Sequence, residues 1–140
     1  MEIVLRNRRD DMSKATHDSP ELEKNKQLVR DFIEDTLNRH NIAAADKYLA
    51  RENPIRHNQQ IMGTEGFKER RRIFFEQFPD SHTTIDHIVA EGDKVFVMLT
   101  TTGTNKQTDK RITIKSADLY RIENDTIAEH WDVVDRSEME

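Results

Sequence analysis

The sequence predicts a single α+β domain in which helices come first and an antiparallel sheet follows. Up to Phe78, apolar residues recur at the spacing of helices that bury one face. From Thr83 onward they alternate with polar residues, and short turn signals separate the alternating segments. Helices that precede hairpins in this way pack on one face of the sheet. A chain of 140 residues is long enough for one such domain with its own core.

The first helix is predicted to begin at Ser19. Serine caps a first turn well, Pro20 suits the first helical position, and Glu21 favours the positive end of the helix dipole. One buried stripe follows at helical spacing: Leu22, Val29, Phe32, Ile33 and Leu37. The highly charged residues 1–18 are predicted to be an extension, and residues 19–136 the domain itself.

Two more helices are predicted before the sheet. Asn41 can cap a second, shorter helix, and Pro54 prevents its continuation, so residues 54–62 are predicted to form a short extended segment. The third helix opens near Thr64 and stops at Pro79. Its predicted buried residues are Phe67, Phe74, Phe75 and Phe78. A basic run between them is interpreted as a solvent-exposed face: Lys68, Arg70, Arg71 and Arg72.

Four strands are predicted after the third helix, over residues 83–90, 94–102, 111–122 and 127–134. The sequence Glu91-Gly92-Asp93-Lys94 is a tight-turn signal between the first two strands. Asn124-Asp125 offers a two-residue turn between the last two. Neighbours in sequence therefore pair in an antiparallel meander.

The last hairpin carries the residues that point to a pocket. With Asn124-Asp125 as its turn, Asp118 pairs with Trp131 and Tyr120 with Glu129. One face then combines apolar groups with two carboxylates, and it consists of Asp118, Tyr120, Ile122, Ile127, Glu129, Trp131 and Val133. Apolar walls with a few polar groups are typical of ligand pockets. A one-residue bulge would instead bring His130 and Asp132 inside, and the sequence leaves both arrangements open.

Composition narrows the classes of function. The net charge of −5, with 35% charged residues of both signs, argues against general nucleic-acid binding. No apolar segment is long enough for a membrane span. The absence of cysteine removes disulfides, thiolate nucleophiles and cysteine zinc sites, and it is compatible with the cytoplasm. No His-Glu-x-x-His or similar spacing occurs, so no metal site is predicted.

Several short motifs resemble the SnoaL-like branch of the nuclear transport factor 2-like superfamily. The resemblance spans about residues 22–135. It is carried by Tyr48-Leu49, Arg56-His57-Asn58, Gly63, Glu91-Gly92-Asp93-Lys94-Val95, Gly103-Thr104, Asp118-Leu119-Tyr120-Arg121 and Ile127-Ala128-Glu129-His130-Trp131-Asp132. The resemblance implies a cone-shaped α+β barrel around a pocket, a homodimer formed through the sheet, and no cofactor.

The resemblance also implies an acid/base role for a carboxylate on the C-terminal strands. In the cyclases of this family such a group, assisted by a histidine, serves an intramolecular aldol closure. The matching acids here are Asp118 and Asp132, and the matching histidines are His57 and His130. The side chains expected to contact the ligand are Trp131, Tyr120, Glu129, Asn58, Phe74 and Phe78.

Two functions are compatible with these features. The first is a cofactor-independent cyclase, isomerase or lyase that acts on a small apolar or carbonyl-containing compound. It requires a desolvated base beside the substrate and donors for the enolate oxygen, for which His, Tyr or Trp would serve. The second is a non-catalytic ligand-binding or dimerisation module, in which Asp118 pairs with a buried donor such as His57 or Arg56.

Overall fold

The computed structural model describes residues 18–51, 55–57 and 60–139. Helix α1 spans Pro20–Phe32, α2 spans Ala45–Tyr48 and α3 spans Thr64–Gln77. A π-helical segment, Ile33–Asn38, continues α1, and a 3-10 turn, Ile42–Ala44, leads into α2. The predicted order of three helices before the meander is confirmed. Apart from Asp18, the predicted extension lies outside the described residues.

Side-chain hydrogen bonds fix the start of α1 and the end of its continuation. The hydroxyl of Ser19 accepts a hydrogen bond from the backbone N–H of Leu22 at 3.3 Å, as predicted for the cap. The amide of Asn38 bonds both backbone groups of Thr83, donating at 3.0 Å and accepting at 2.7 Å. Asn41 occupies the cap position before the 3-10 turn, but its side chain makes no capping hydrogen bond.

The sheet has six strands in the order β2-β1-β6-β5-β4-β3. The strands are β1 Ile55–His57, β2 Gln60–Met62, β3 His82–Glu91, β4 Lys94–Thr104, β5 Arg111–Glu123 and β6 Thr126–Asp135. The last four form the predicted antiparallel meander. The extended segment predicted over 54–62 contains the short β1-β2 hairpin, and β1 pairs in parallel with β6. The predicted α+β class is confirmed; the parallel β1–β6 pair makes the sheet mixed, and within the described residues the sheet does not close.

A β-bulge decides which side chains of β6 face the helices. Asn124 and Asp125 form the predicted tight turn, with φ of 51° and 59°. Ile122 pairs with Ile127 as expected, but Arg121 pairs with Glu129, so one residue of β6, Ala128, has no partner. Beyond it, Tyr120 pairs with His130 and Asp118 with Asp132. The predicted pairs Asp118–Trp131 and Tyr120–Glu129 are therefore wrong, because the extra residue exchanges the two faces.

The core lies between the helices and the inner face of the sheet. Val29 and Phe32 of α1 pack in one cluster with Phe67 of α3 and with Val95 and Val97 of β4. The ring of Phe32 meets those of Phe67 and Tyr120 at 5.9 and 6.1 Å between centroids. These contacts hold α1 and α3 over the inner face of β5, which carries Asp118 and Tyr120. In the described ranges, every helix is too short or too polar to span a lipid bilayer.

Candidate functional site

A cavity of about 210 Å³ lies between α1, α3 and the inner face of the sheet. Its apolar walls include Phe32, Phe67, Phe74, Leu99 and Ile114. Its charged or titratable residues are Arg70, Arg71, Asp118, Tyr120, His130, Asp132 and Arg136. Sites for drug-sized ligands measure roughly 300–1,000 Å³. A cavity of this size therefore suits a small molecule.

Asp118, Tyr120 and His130 form a buried hydrogen-bonded cluster in this cavity. Their exposed fractions are 7%, 1% and 4%. The Tyr120 hydroxyl donates to Oδ2 of Asp118 at 3.0 Å, and Nε2 of His130 lies 3.0 Å from the same oxygen. The rings of Tyr120 and His130 stack at 4.4 Å. Burial and the neighbouring Asp118 carboxylate raise the pKa of Tyr120 well above its ordinary value, so its phenol remains a donor.

The second oxygen of Asp118 has no hydrogen-bond partner in the described structure. Oδ2 accepts from both donors, whereas no described residue donates to the buried Oδ1. An ionised carboxylate only accepts hydrogen bonds, so Nε2 of His130 is the donor in its contact with Asp118. Nδ1 of His130 is also buried, and among the described residues it has no hydrogen-bond partner. Unsatisfied buried acceptors are costly and uncommon, and here they leave lone pairs available to a substrate proton.

Asp132 brings a second carboxylate next to the first. It is the cross-strand partner of Asp118, and like charges in that position repel each other. Nε2 of His130 lies 3.8 Å from Oδ2 of Asp132 as well as 3.0 Å from Asp118. The imidazole therefore reaches both acids and reduces their repulsion.

Two arginines of α3 form the opposite wall of the cavity. The guanidinium of Arg71 lies over the rings of Phe67 and Phe74, 5.8 and 5.1 Å from their centroids. Burial lowers the pKa of Arg71, while Asp118 and Asp132 act in the opposite direction, and the group remains a cation. The interpretation of the basic run as a solvent-exposed face is thus wrong for Arg70 and Arg71, which line the cavity.

Helical spacing was the signal for these arginines. Positions 67, 70, 71 and 74 lie on one face of a helix, so Arg70 and Arg71 share the stripe of Phe67 and Phe74. Arg72 lies off that stripe and forms exposed ion pairs with Glu69 and Glu76. The prediction of a solvent-exposed run therefore holds for Arg72, whereas the Lys68 side chain is only 19% exposed and pairs with Asp46 at 2.6 Å.

The acidic side of the cavity also has the composition of a metal site. Asp118, His130 and Asp132 each offer one ligand atom, and these atoms lie within 4.8 Å of one another. Carboxylate and imidazole ligands suit several divalent metals. The spacing of these residues in the sequence does not reveal the group, because they come together only when β5 pairs with β6. Arg70 and Arg71 in the same cavity oppose a cation, and His130 is already bonded to Asp118, so the arrangement favours proton transfer.

Three residues predicted to contact the ligand lie elsewhere. The bulge turns Glu129 and Trp131 to the outer face of the sheet, where Glu129 accepts a hydrogen bond from Arg121 at 2.8 Å. Phe78 is 1% exposed, but it packs with Ile112 and Ile114 in a second cluster and does not line the cavity. The Trp131 N–H is therefore not available as an enolate donor.

Two further predicted site residues, His57 and Asn58, lie partly or wholly outside the described residues. Asn58 is outside the described residues, as is the side chain of His57. The backbone of His57 pairs with Asp132 through the parallel β1–β6 ladder. This register brings β1 alongside the strand that carries His130 and Asp132.

Comparison with known proteins supports both the fold and the family. The sequence model of the SnoaL-like polyketide cyclase family matches residues 27–140, a range that includes all the cavity residues. No curated protein matches the chain.

Solved structures with the same fold cover most of this chain. A candidate polyketide cyclase from Acidithiobacillus ferrooxidans is 27% identical, with a TM-score of 0.72 over 81% of this chain and 89% of that one. TsrD from Streptomyces laurentii is 25% identical, with a TM-score of 0.72 and the same coverage of 81% and 89%. A SnoaL-like polyketide cyclase from Agrobacterium tumefaciens shares the fold at 18% identity, with a TM-score of 0.69 over 80% and 91% of the two chains.

Proposed function

Because the chain belongs to the SnoaL-like polyketide cyclase family, we propose that it converts a small carbonyl compound by acid/base catalysis without a cofactor. One observation carries the proposal. The cavity contains a buried carboxylate, Asp118, with one oxygen held by Tyr120 and His130 and the other without a partner in the described structure. A base that is fixed and desolvated in this way is suited to removing a proton from carbon.

The proposed first step forms an enolate. Oδ1 of Asp118 takes a proton from the carbon next to the substrate carbonyl, the electron pair of that C–H bond forms a C=C bond to the carbonyl carbon, and the C=O π pair moves to the oxygen. Tyr120 and His130 hold the carboxylate in place, and the positive charge of Arg71 favours the developing oxyanion. Asp132 is the second acid within reach of His130.

The enolate can then react in three ways that correspond to the three reaction types. Attack of its carbon on a second carbonyl of the same molecule closes a ring. Return of the proton to a different carbon gives an isomer. Loss of a leaving group from the neighbouring carbon gives a lyase product. All three reactions need the same base, so a substitution of Asp118 tests them together.

The test is proton exchange in D2O, followed by NMR over a panel of small ketones and 1,3-dicarbonyl compounds. We expect the wild type to catalyse deuterium incorporation next to the carbonyl and Asp118→Asn to lose about 10²- to 10⁴-fold in rate. The thermal midpoint of Asp118→Asn should be unchanged or higher, because its repulsion with Asp132 is relieved. Asp31→Asn, at an exposed site on α1, is the matched control.

The alternative is a non-catalytic ligand-binding module on the same fold. It is favoured by the bonding of Asp118 to Tyr120 and His130, which would also serve a purely structural cluster. Equal exchange rates for the wild type and Asp118→Asn would contradict the catalytic proposal. A large loss of stability in Asp118→Asn, with no exchange to lose, would support the alternative.

We also propose that two copies associate through the outer face of the sheet. The bulge and the strand register leave apolar side chains on this face across four strands: Val89, Phe96, Met98, Ala117, Leu119, Trp131 and Val133. Val89 is 59% exposed, Met98 46% and Val133 69%. Such a patch on one copy fits the same patch on another. Leu119→Glu should yield monomers in sedimentation, whereas Ile73→Glu, which changes an exposed residue on α3, should not.

A further inference from the structure

The charge of the cavity has the opposite sign to that of the whole chain. The chain has a formal net charge of −5. The cavity is lined by three arginines and two aspartates, so with both acids ionised and His130 neutral it carries a net charge of +1. The two aspartates therefore do not neutralise the three arginines, and one positive charge in the cavity has no counter-charge among the cavity residues.

Part of the hydrogen-bonding capacity of Arg70 and Arg71 is unused within the described residues. Nη1 of Arg70 and Nε of Arg71 are buried, and no described residue forms a hydrogen bond with either atom. Buried N–H groups of this kind are uncommon in folded proteins unless a ligand or ordered water completes them. If these arginines served only to neutralise Asp118 and Asp132, the charged N–H groups would be expected to bond those carboxylates.

The position of Arg71 is also fixed before any ligand arrives. Its guanidinium lies against Phe67 and Phe74, which limits the rotation of its plane. A guanidinium presents its donors in a rigid fork that matches the two oxygens of a carboxylate. One enolate oxygen is too small to accept hydrogen bonds from all the donors of two adjacent guanidinium groups. We therefore expect the substrate to carry a second anionic group.

We propose that Arg70 and Arg71 form a subsite for a carboxylate group of the substrate, which is then an oxo acid rather than a neutral ketone. This inference rests on the proposed function, because it places the carboxylate at α3 and the reacting carbonyl at Asp118 on the opposite wall. The cavity volume of about 210 Å³ limits the substrate to a small acid.

The test measures binding of benzoate and of benzamide, its neutral near-isostere, to the whole protein by calorimetry. We expect benzoate to bind more tightly than benzamide. Arg70→Gln and Arg71→Gln should each weaken benzoate binding by at least about tenfold, because each removes a positive charge that lines the cavity. Arg71→Lys should recover only part of the affinity, because it keeps the charge but loses the fork. Arg72→Gln, on the outer face of the same helix, should bind like the wild type.

The subsite is overturned if benzoate shows no saturable binding to the wild type, if benzamide binds as tightly, or if Arg70→Gln and Arg71→Gln keep wild-type affinity. A loss of stability in Arg71→Gln with unchanged benzoate affinity would mean that the arginine only balances the acids. Asp118→Asn separates this inference from the proposed function, since it should bind benzoate at least as well as the wild type while losing proton exchange. Benzoate binding without Asp118-dependent proton exchange would refute the proposed function and leave the carboxylate subsite. Asp118-dependent exchange without benzoate binding would refute the subsite and leave the function.

Discussion

Replacing Tyr120 by Phe tests whether the buried hydrogen bond to Asp118 exists as the structure has it. The substitution removes the hydroxyl that donates to Oδ2 of Asp118 at 3.0 Å and keeps the ring that packs on Phe32 and His130. Hydrogen bonds to charged groups contribute about 1.5–3 kcal/mol. We therefore expect the free energy of unfolding at pH 7–9 to fall by about 2 kcal/mol.

The pH dependence makes the prediction sharper. The pKa of Tyr120 is raised well above its ordinary value of 10.0 in the folded state, so above pH 10 the unfolded chain loses this proton and the folded chain keeps it. Stability then falls as pH rises, by about 1.4 kcal/mol between pH 9 and pH 11 for one tyrosine. Tyr120→Phe lacks this loss, so its deficit relative to the wild type should shrink to about 0.6 kcal/mol at pH 11. The raised pKa of Tyr48, about 12, affects both proteins equally and cancels in the difference.

Urea unfolding of the wild type and Tyr120→Phe at pH 7, 9 and 11 measures the difference in unfolding free energy and its change with pH, with the single tryptophan as the fluorophore. A deficit that stays constant from pH 9 to pH 11 would refute the reasoning, because it would mean that Tyr120 ionises in the folded protein as readily as in the unfolded one. A deficit near zero at pH 7 would show that the hydroxyl does not support Asp118. Either result would also weaken the role of Tyr120 in holding the proposed base.

Two other substitutions test the packing and the last turn. Gly103→Ala would bring a methyl group within 3.1 Å of Cβ of Phe78, and we expect it to lower the free energy of unfolding in urea by about 1–3 kcal/mol. The control is Gly63→Ala, whose added methyl group meets nothing within 4 Å. Equal effects of the two substitutions would contradict the packing at Phe78. Asp125→Gly relieves a positive φ of 59° and should raise the thermal midpoint by an amount equivalent to about 0.5 kcal/mol. The exposed ion pair with Lys24 that it removes contributes little, so a lower midpoint would show that Asp125 has another role.

The order of elements was predictable because local patterns determine it. Ser19 and Pro20 mark the start of α1, Pro79 follows the end of α3, and the Asn124-Asp125 dipeptide gives the two-residue turn. Each of these signals acts on neighbouring residues only. The pairing of β1 with β6, by contrast, joins segments that are far apart in sequence and has no local signal.

The face of the last strand was not predictable, because both registers bury Ile127 against Ile122. The bulge residue is an alanine, without the glycine that often marks such a site. Both alternative inner faces also contain an acid and an aromatic or imidazole ring, so composition did not separate them. Arg70 and Arg71 depart from the general rule that charged residues lie on the outside, and only their helical spacing from Phe67 indicates that they face the cavity.

The unpaired Ala128 has a consequence for how relatives of this chain are compared. A relative of equal length whose last strand lacks the bulge would present the positions of Glu129 and Trp131 to its interior, although the two sequences align without a gap. Transfer of a functional residue from one to the other would then name a side chain on the wrong side of the strand. The pairing of the last two strands should therefore be read from a structure of the relative before any role is carried across.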